Sequence, residues 1–261
     1  MEEGQKMQVI SEVGTCWLPR KFFLEEAIKA ALDCGSDMVK LQYWTDGKML
    51  AMRRGGAKGL EQWEISPKRV IELAEQLFEK HKRPVLGISV FHPEDVGRLE
   101  RAAFNSKKIP LAFIKTATQE YQYAALAEAV SSFSAHQVVP LYVSVPRDGC
   151  LTVGNYHSPQ PITWLYAEPF YPASLFDYDG GRIPKMRTRL PGRVGLSDHT
   201  QHEVLLRNLT RSPSFDLKQP DVVEKHLCYH EELRGLVPDG GPWSLSPADF
   251  KKYVEVAHGS H

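Results

Sequence analysis

The sequence predicts an α/β protein built as a single (β/α)₈ TIM barrel, and three observations carry that expectation. Eight short β-rich runs alternate with segments of helical periodicity. The 261 residues are 42% hydrophobic, enough to bury one large core, so one domain spanning 1–261 is expected. No GxGxxG or GxxxxGK[ST] turn follows any strand, which weakens the nucleotide-binding form of the alternative fold, a doubly wound open sheet.

The elements follow in order. MQVISEVG reads as the first strand and KFFLEEAIKAALDCG as its helix; MVKLQYW is followed by SPKRVIELAEQLFEKH, and VLGISVF by PEDVGRLERAAF. LAFIKTA leads into the helical YAALAEAVSSF. VVPLYVSV and ITWLYAEP then arrive with PRDGCLTVGNYHSPQP between them, a stretch too rich in Pro, Gly and Asn for a regular helix. The fifth helix is therefore expected to be reduced or missing. RVGLSDHT precedes HEVLLRNLTR, and DVVEKHL precedes SPADFKKYVEVA, giving eight strands and about seven helices.

Composition narrows the function classes. Thirty-two basic residues balance thirty-two acidic ones, so nothing in the net charge points to a nucleic-acid polymer or a membrane. The four cysteines, Cys16, Cys34, Cys150 and Cys228, lack CxxC spacing, which argues against a zinc ribbon and suits a reducing compartment. With no signal-peptide-like start and no run of membrane-spanning length, a cytoplasmic location is expected.

In a barrel, active sites form at the carboxyl ends of the strands, and alternate side chains face the lumen. Ser197 and His199 then share one face, as do Glu224 and His226 on the next strand. Two imidazoles at neighbouring strand ends make half of an open divalent-metal site; the competing reading is a pair of hydrogen-bonded structural histidines. Glu12 ends strand one, Lys40 and Gln42 share a face of strand two, Ser89 and Phe91 lie on strand three, and Lys115, Thr118 and Glu120 end strand four. Lysines in a small lumen need carboxylate partners, which Glu12 and Glu224 can supply structurally. Two lysines among hydroxyls also suit a small polyanion. Phe91 reads first as a packing residue and second as a platform for the substrate.

These residues resemble the N-acetylneuraminate (sialic acid) synthase family. The likeness rests on SEVG, DMVKLQ, SVF, IKTATQE, GLSDHT and VVEKHL, in order from about Val9 to Val254. It implies a metal-dependent transferase that condenses phosphoenolpyruvate with an aldehyde acceptor and releases phosphate, in the service of carbohydrate biosynthesis. Position by position, it implies His199 and His226 as metal ligands, with manganese the first candidate and magnesium or cobalt as alternatives. Lys40, Ser89, Lys115, Thr118 and Ser197 match residues that hold phosphoenolpyruvate, although the family more often has Thr at the position of Ser89 and Ser at that of Thr118. Gln42, Glu120 and Tyr171 match acceptor-pocket positions. Glu12 matches an acidic residue beside metal and aldehyde, where it would manage protons. A homodimer is compatible with the resemblance.

The departures gather on the acceptor side. TCWLP, with Cys16, Trp17 and Pro19, replaces an Asn-His-x-Gly loop; Pro169 replaces an Asn; Gly240 replaces a His; and a catalytic barrel without the small antifreeze-like domain that usually follows helix eight is expected. An acceptor other than N-acetylmannosamine is therefore expected. TDGKMLAMRRGGAKGLEQWE, after strand two, is read either as a solvated loop or as a cover whose Arg53 and Arg54, with Lys58 nearby, bind an anionic acceptor. Trp17 is read either as a stacking wall for the acceptor or as a packed core residue. Two other readings of the whole stay open: an aldolase or hydrolase using the same metal pair, and a catalytically silent ligand-binding barrel.

Overall fold

The structure, a computed structural model, describes residues 6–54, 59–103, 108–152, 154–211 and 219–259. At its centre eight parallel strands close into a barrel in chain order: β1 (Gln8–Glu12), β2 (Met38–Tyr43), β3 (Leu86–Val90), β4 (Phe113–Thr116), β5 (Leu141–Val145), β6 (Thr163–Ala167), β7 (Arg193–Asp198) and β8 (Val222–His226). Each strand coincides with a run read from the sequence, and the barrel itself is the predicted fold.

The helices are α1 (Lys21–Asp33), α2 (Gly47–Arg53), α3 (Pro67–His81), α4 (Pro93–Ala102), α5 (Ala124–Gln137), α6 (Arg182–Arg189), α7 (Val204–Arg211) and α8 (Pro247–Ala257). Three of them start alike. Ser66, His92 and Ser246 each accept a backbone N–H of the first turn, and a proline follows where no amide donor is needed. Between β5 and β6 no helix forms among the described residues, as expected. Polar anchoring takes its place: Arg182 Nη2 donates to the carbonyls of Pro146 and Gly149, and Tyr156 Oη donates to the Tyr121 carbonyl.

Two helices went unassigned from the sequence. α6, RIPKMRTR, is strongly basic, and Pro184 in its first turn masks the helical pattern, yet Ile183 and Met186 pack inward. α2 lies in the stretch after β2 that was read as loop. Its Asp46 cap accepts from Met49 N at 2.9 Å, and Leu50 is buried. Gly47 lets this helix lie against the 3₁₀ turn at Leu60–Trp63, because a Cβ there would come within 2.4 Å of the Glu61 backbone nitrogen. Lys58 lies outside the described residues.

The lumen is layered. Ile10, Met38, Phe113, Tyr142, Leu165 and Val222 form a separate apolar plug at its lower end, with Phe113 and Tyr142 stacked at 4.3 Å. Gly87 makes room for that plug, since a Cβ would meet the Phe113 ring at 2.2 Å. Two residues further along the same strands the layer turns polar: Glu12, Lys40, Ser89, Lys115, Ser144 and Glu224 are all buried. Parallel pairing sets these side chains beside one another, with Glu12 opposite both Lys40 and His226, Ser89 opposite Gln42 and Lys115, and Ser197 opposite Glu224. No helix among the described residues is long and apolar enough to cross a membrane.

Candidate active site

A cavity of about 260 Å³ opens at the carboxyl ends of the strands, above the polar layer. Glu12, Lys40, Gln42, Arg54, Ser89, Phe91, Lys115, Thr118, Tyr171, Ser197, His199 and His226 all face it. Those are twelve of the fourteen residues predicted from the sequence. The other two stand behind its wall. Glu120 is buried and pairs with Arg54, and Arg53 Nη1 donates to the Phe91 carbonyl at 2.8 Å while its guanidinium lies over Tyr123. Arg53 thus anchors the end of α2 and stands outside the cavity lining. Trp17 resolves to its packing alternative: it is buried, and its indole N–H is satisfied by the Gly14 carbonyl.

Glu224 is the electrostatic hub. Its Oε1 accepts from Lys115 Nζ at 2.5 Å, Lys40 Nζ at 2.9 Å and Ser197 Oγ at 3.0 Å. Burial alone would raise this carboxyl's pKa, but the two ammonium groups more than offset that and hold it well below the usual range. Lys40 also pairs with Glu12. Both lysines therefore have the carboxylate partners that the sequence reading allowed. Burial pushes Glu12 up to about 7, assisted by Glu224 and Asp239 and opposed by Lys40, so this carboxyl can hold or release a proton near neutrality. Burial likewise brings Lys115 down to about 8, with Glu224 resisting and Lys40 adding to the shift.

The two histidines sit with ring centres 5.6 Å apart. His199 Nδ1 lies 2.6 Å from the Glu168 carbonyl, which can only accept, so the proton is on Nδ1 and Nε2 carries the lone pair. Burial lowers both imidazoles to about 3, with His226 and Lys115 adding to the shift of His199, and Lys40, Lys225 and Lys115 to that of His226. Both are therefore neutral at physiological pH, the state that ligates a metal. Among the described residues no set of three or more His, Cys, Asp or Glu side chains is arranged around a common point as a metal cage. The histidine pair could supply two imidazole nitrogens to an open divalent-metal site. Among the described residues, three buried atoms in this layer lack a hydrogen-bond partner: Glu12 Oε1, Glu224 Oε2 and His226 Nδ1. Unsatisfied acceptors beside neutral imidazoles fit a cation.

The remaining wall is largely aromatic. Tyr171 lies against His199, tilted by 31° with ring centres 4.2 Å apart, and meets Trp243 edge-on at 5.5 Å, with Pro169 and Pro238 beside them. Asp239 Oδ2 gathers Thr15 N and Oγ1, each at 2.8 Å, and Gln42 Nε2 at 3.1 Å, tying the segment after β8 to the segment after β1. Ser144, Trp243 and Asp239 also line the cavity and were not singled out from the sequence. Ser144 had a signal in the alternation of LYVSV, whereas Trp243 and Asp239 lie on a long irregular segment with no periodicity to read.

A family model described as the NeuB family matches residues 27–260. The chain belongs to the NeuB family. Solved structures agree on the fold of this NeuB chain. An N-acetylneuraminic acid (sialic acid) synthetase from Leptospira borgpetersenii serovar Hardjo-bovis, in complex with citrate, superposes with a TM-score of 0.75 at 16% identity, covering 98% of this chain and 84% of that one. A spore coat polysaccharide biosynthesis protein from Bacillus subtilis gives 0.66 at 18% identity, over 98% and 68% of the two chains. A truncated 3-deoxy-D-arabino-heptulosonate 7-phosphate synthase from Thermotoga maritima gives 0.62 at 12%, over 97% and 85%. No curated protein matches the sequence.

Proposed function

We propose that this NeuB-family barrel condenses phosphoenolpyruvate with an aldehyde and releases inorganic phosphate. The observation that carries the reading is the buried Lys40, Lys115 and Glu224 cluster, with Ser89, Thr118 and Ser197 around the same cavity. Two ammonium groups are preorganised there in a low-dielectric lumen, where each contact with a trianionic donor counts for more than in water. The neighbouring structures, a sialic acid synthetase and a heptulosonate phosphate synthase by name, are in keeping with such a reaction.

C3 of phosphoenolpyruvate attacks the aldehyde carbon, leaving cationic character at C2. Water adds at C2, and the carbon–oxygen bond to phosphate then breaks. The protons balance: one from the water ends on the former aldehyde oxygen, and the other leaves with hydrogen phosphate as the C2 hydroxyl becomes the keto group. Glu12, with a free Oε1 and a pKa near 7, passes the first of these protons. His199 and His226 would hold a divalent ion, manganese being the first candidate. Such an ion supplies Lewis-acid polarisation of the acceptor carbonyl.

The acceptor in this reading is not N-acetylmannosamine. Gln42 and Asp239, polar groups of the acceptor end, already bond to each other at 3.1 Å, and much of the rest is Tyr171, Trp243, Pro169 and Pro238. A polyhydroxylated sugar would lose water there without regaining its hydrogen bonds. The test is phosphate release from phosphoenolpyruvate across a panel of aldehydes with manganese, N-acetylmannosamine included. Aldehyde-dependent release with a new 2-keto acid supports the proposal. Aldehyde-independent release yielding pyruvate refutes it, and efficient turnover of N-acetylmannosamine refutes the acceptor assignment.

A further inference from the structure

We infer that Arg54 binds the phosphoryl group of the donor, as a third cation delivered to the cavity from the segment after β2. The inference rests on the donor reading above and assigns Arg54 to the donor, where the sequence alone suggested an acceptor. Its place decides this. Arg54 lies over the ring of Phe91, 4.5 Å from its centre, and Nη2 is 3.4 Å from Glu120 Oε1, two residues beyond Thr118. Its neighbours are thus the ends of β3 and β4, which supply Ser89, Lys115 and Thr118 to the cavity. The aromatic wall of Tyr171 and Trp243 is built instead by the segments after β6 and β8.

Charge among the side chains alone favours a further cation on the donor side. Lys40 and Lys115 carry two positive charges, but Glu12 and Glu224 answer them with up to two negative ones, and Asp239 adds another. Both histidines are neutral. Without Arg54, and with all three carboxyls ionised, the side chains around the cavity sum to one negative charge, a poor match for a trianion. The Arg54 side chain is also weakly engaged: among the described residues the long contact to Glu120 is its one hydrogen bond, and Nε is buried with no partner there. A guanidinium has five donors in a planar fork, so most of its capacity is uncommitted. Stacking on Phe91 fixes the plane of that fork without consuming a donor. A guanidinium edge with the Ser89 and Thr118 hydroxyls suits a tetrahedral dianion.

The experiment titrates wild type, Arg54→Met and Arg54→Lys with phosphoenolpyruvate, inorganic phosphate and pyruvate by calorimetry, with thermal unfolding as a check on folding. Arg54→Met should weaken phosphoenolpyruvate and phosphate by roughly tenfold or more, leaving pyruvate unchanged. Arg54→Lys, which keeps the charge but not the fork, should fall between and serves alone if the Met variant fails to fold. If wild type binds phosphoenolpyruvate and the variants match it, or if they lose pyruvate equally, this assignment is wrong while the donor reading stands. If wild type binds neither phosphoenolpyruvate nor phosphate, the donor reading itself falls.

Discussion

Converting Glu224 to Gln isolates the electrostatic role of the hub, because volume and hydrogen-bonding shape are nearly kept while one buried negative charge is lost. Lys115 and Lys40 approach Oε1 at 2.5 and 2.9 Å. At those separations Coulomb's law gives about 6 kcal/mol of gross attraction per contact with an effective dielectric of about 20. The cost of having desolvated all three groups cancels much of this, so the net penalty is set by leaving ammonium groups buried with too little compensation, about 3–5 kcal/mol. Glu12 still pairs with Lys40, so the larger share of the loss falls on Lys115. Its pKa is already lowered to about 8 with Glu224 in place and drops further in the variant. Urea denaturation at pH 7 should report a loss of stability in that range. Added phosphoenolpyruvate should restore part of it, since a ligand that binds only the folded state stabilises it by mass action. A change below about 1 kcal/mol, a value typical of exposed pairs, would show that the three groups are not the buried cluster described here.

Acid stability should follow the histidines. Their pKa values fall from an ordinary 6.5 to about 3 on folding, so below pH 6.5 the unfolded chain binds protons that the folded one does not, and stability falls as pH falls. Each histidine should cost about 2 kcal/mol by pH 5, read as a falling Tm in chelator. Equal acid dependence in the His199→Gln, His226→Gln double variant would contradict this. For the metal, manganese should raise the Tm of wild type but not of His199→Ala or His226→Ala, and an unchanged shift in both variants would remove them as ligands. Gly87→Ala drives a Cβ into the Phe113 ring and should cost about 1–3 kcal/mol in denaturant unfolding; a neutral result would mean that the apolar plug is loosely packed.

The strands were the most legible feature because each is a short apolar run bounded by turn residues, and period-two alternation then fixed which side chains enter the lumen. RVGLSDHT and VVEKH placed Ser197, His199, Glu224 and His226 at the cavity by that rule alone. The depth of the Glu224 cluster was not legible, because it depends on register between four strands distant in sequence: Lys40 and Glu224 are 184 residues apart. Long segments were harder still. Arg53 and Arg54 look equivalent in MRRGG, but the turn at the end of α2 sends one to Phe91 O and Tyr123 and the other over the Phe91 ring. Trp243 and Asp239 reach the cavity through tertiary contacts that no local pattern announces.

The central claim is that the lumen holds phosphoenolpyruvate on Lys40 and Lys115, and calorimetric titration of wild type against Lys115→Met tests it most directly. Wild type should bind phosphoenolpyruvate at one site, and the variant, which removes an ammonium while keeping most of the volume, should lose about 2–4 kcal/mol, roughly 30- to 1,000-fold in Kd. Absence of binding by the folded wild type, or equal affinity in the two proteins, would contradict the account.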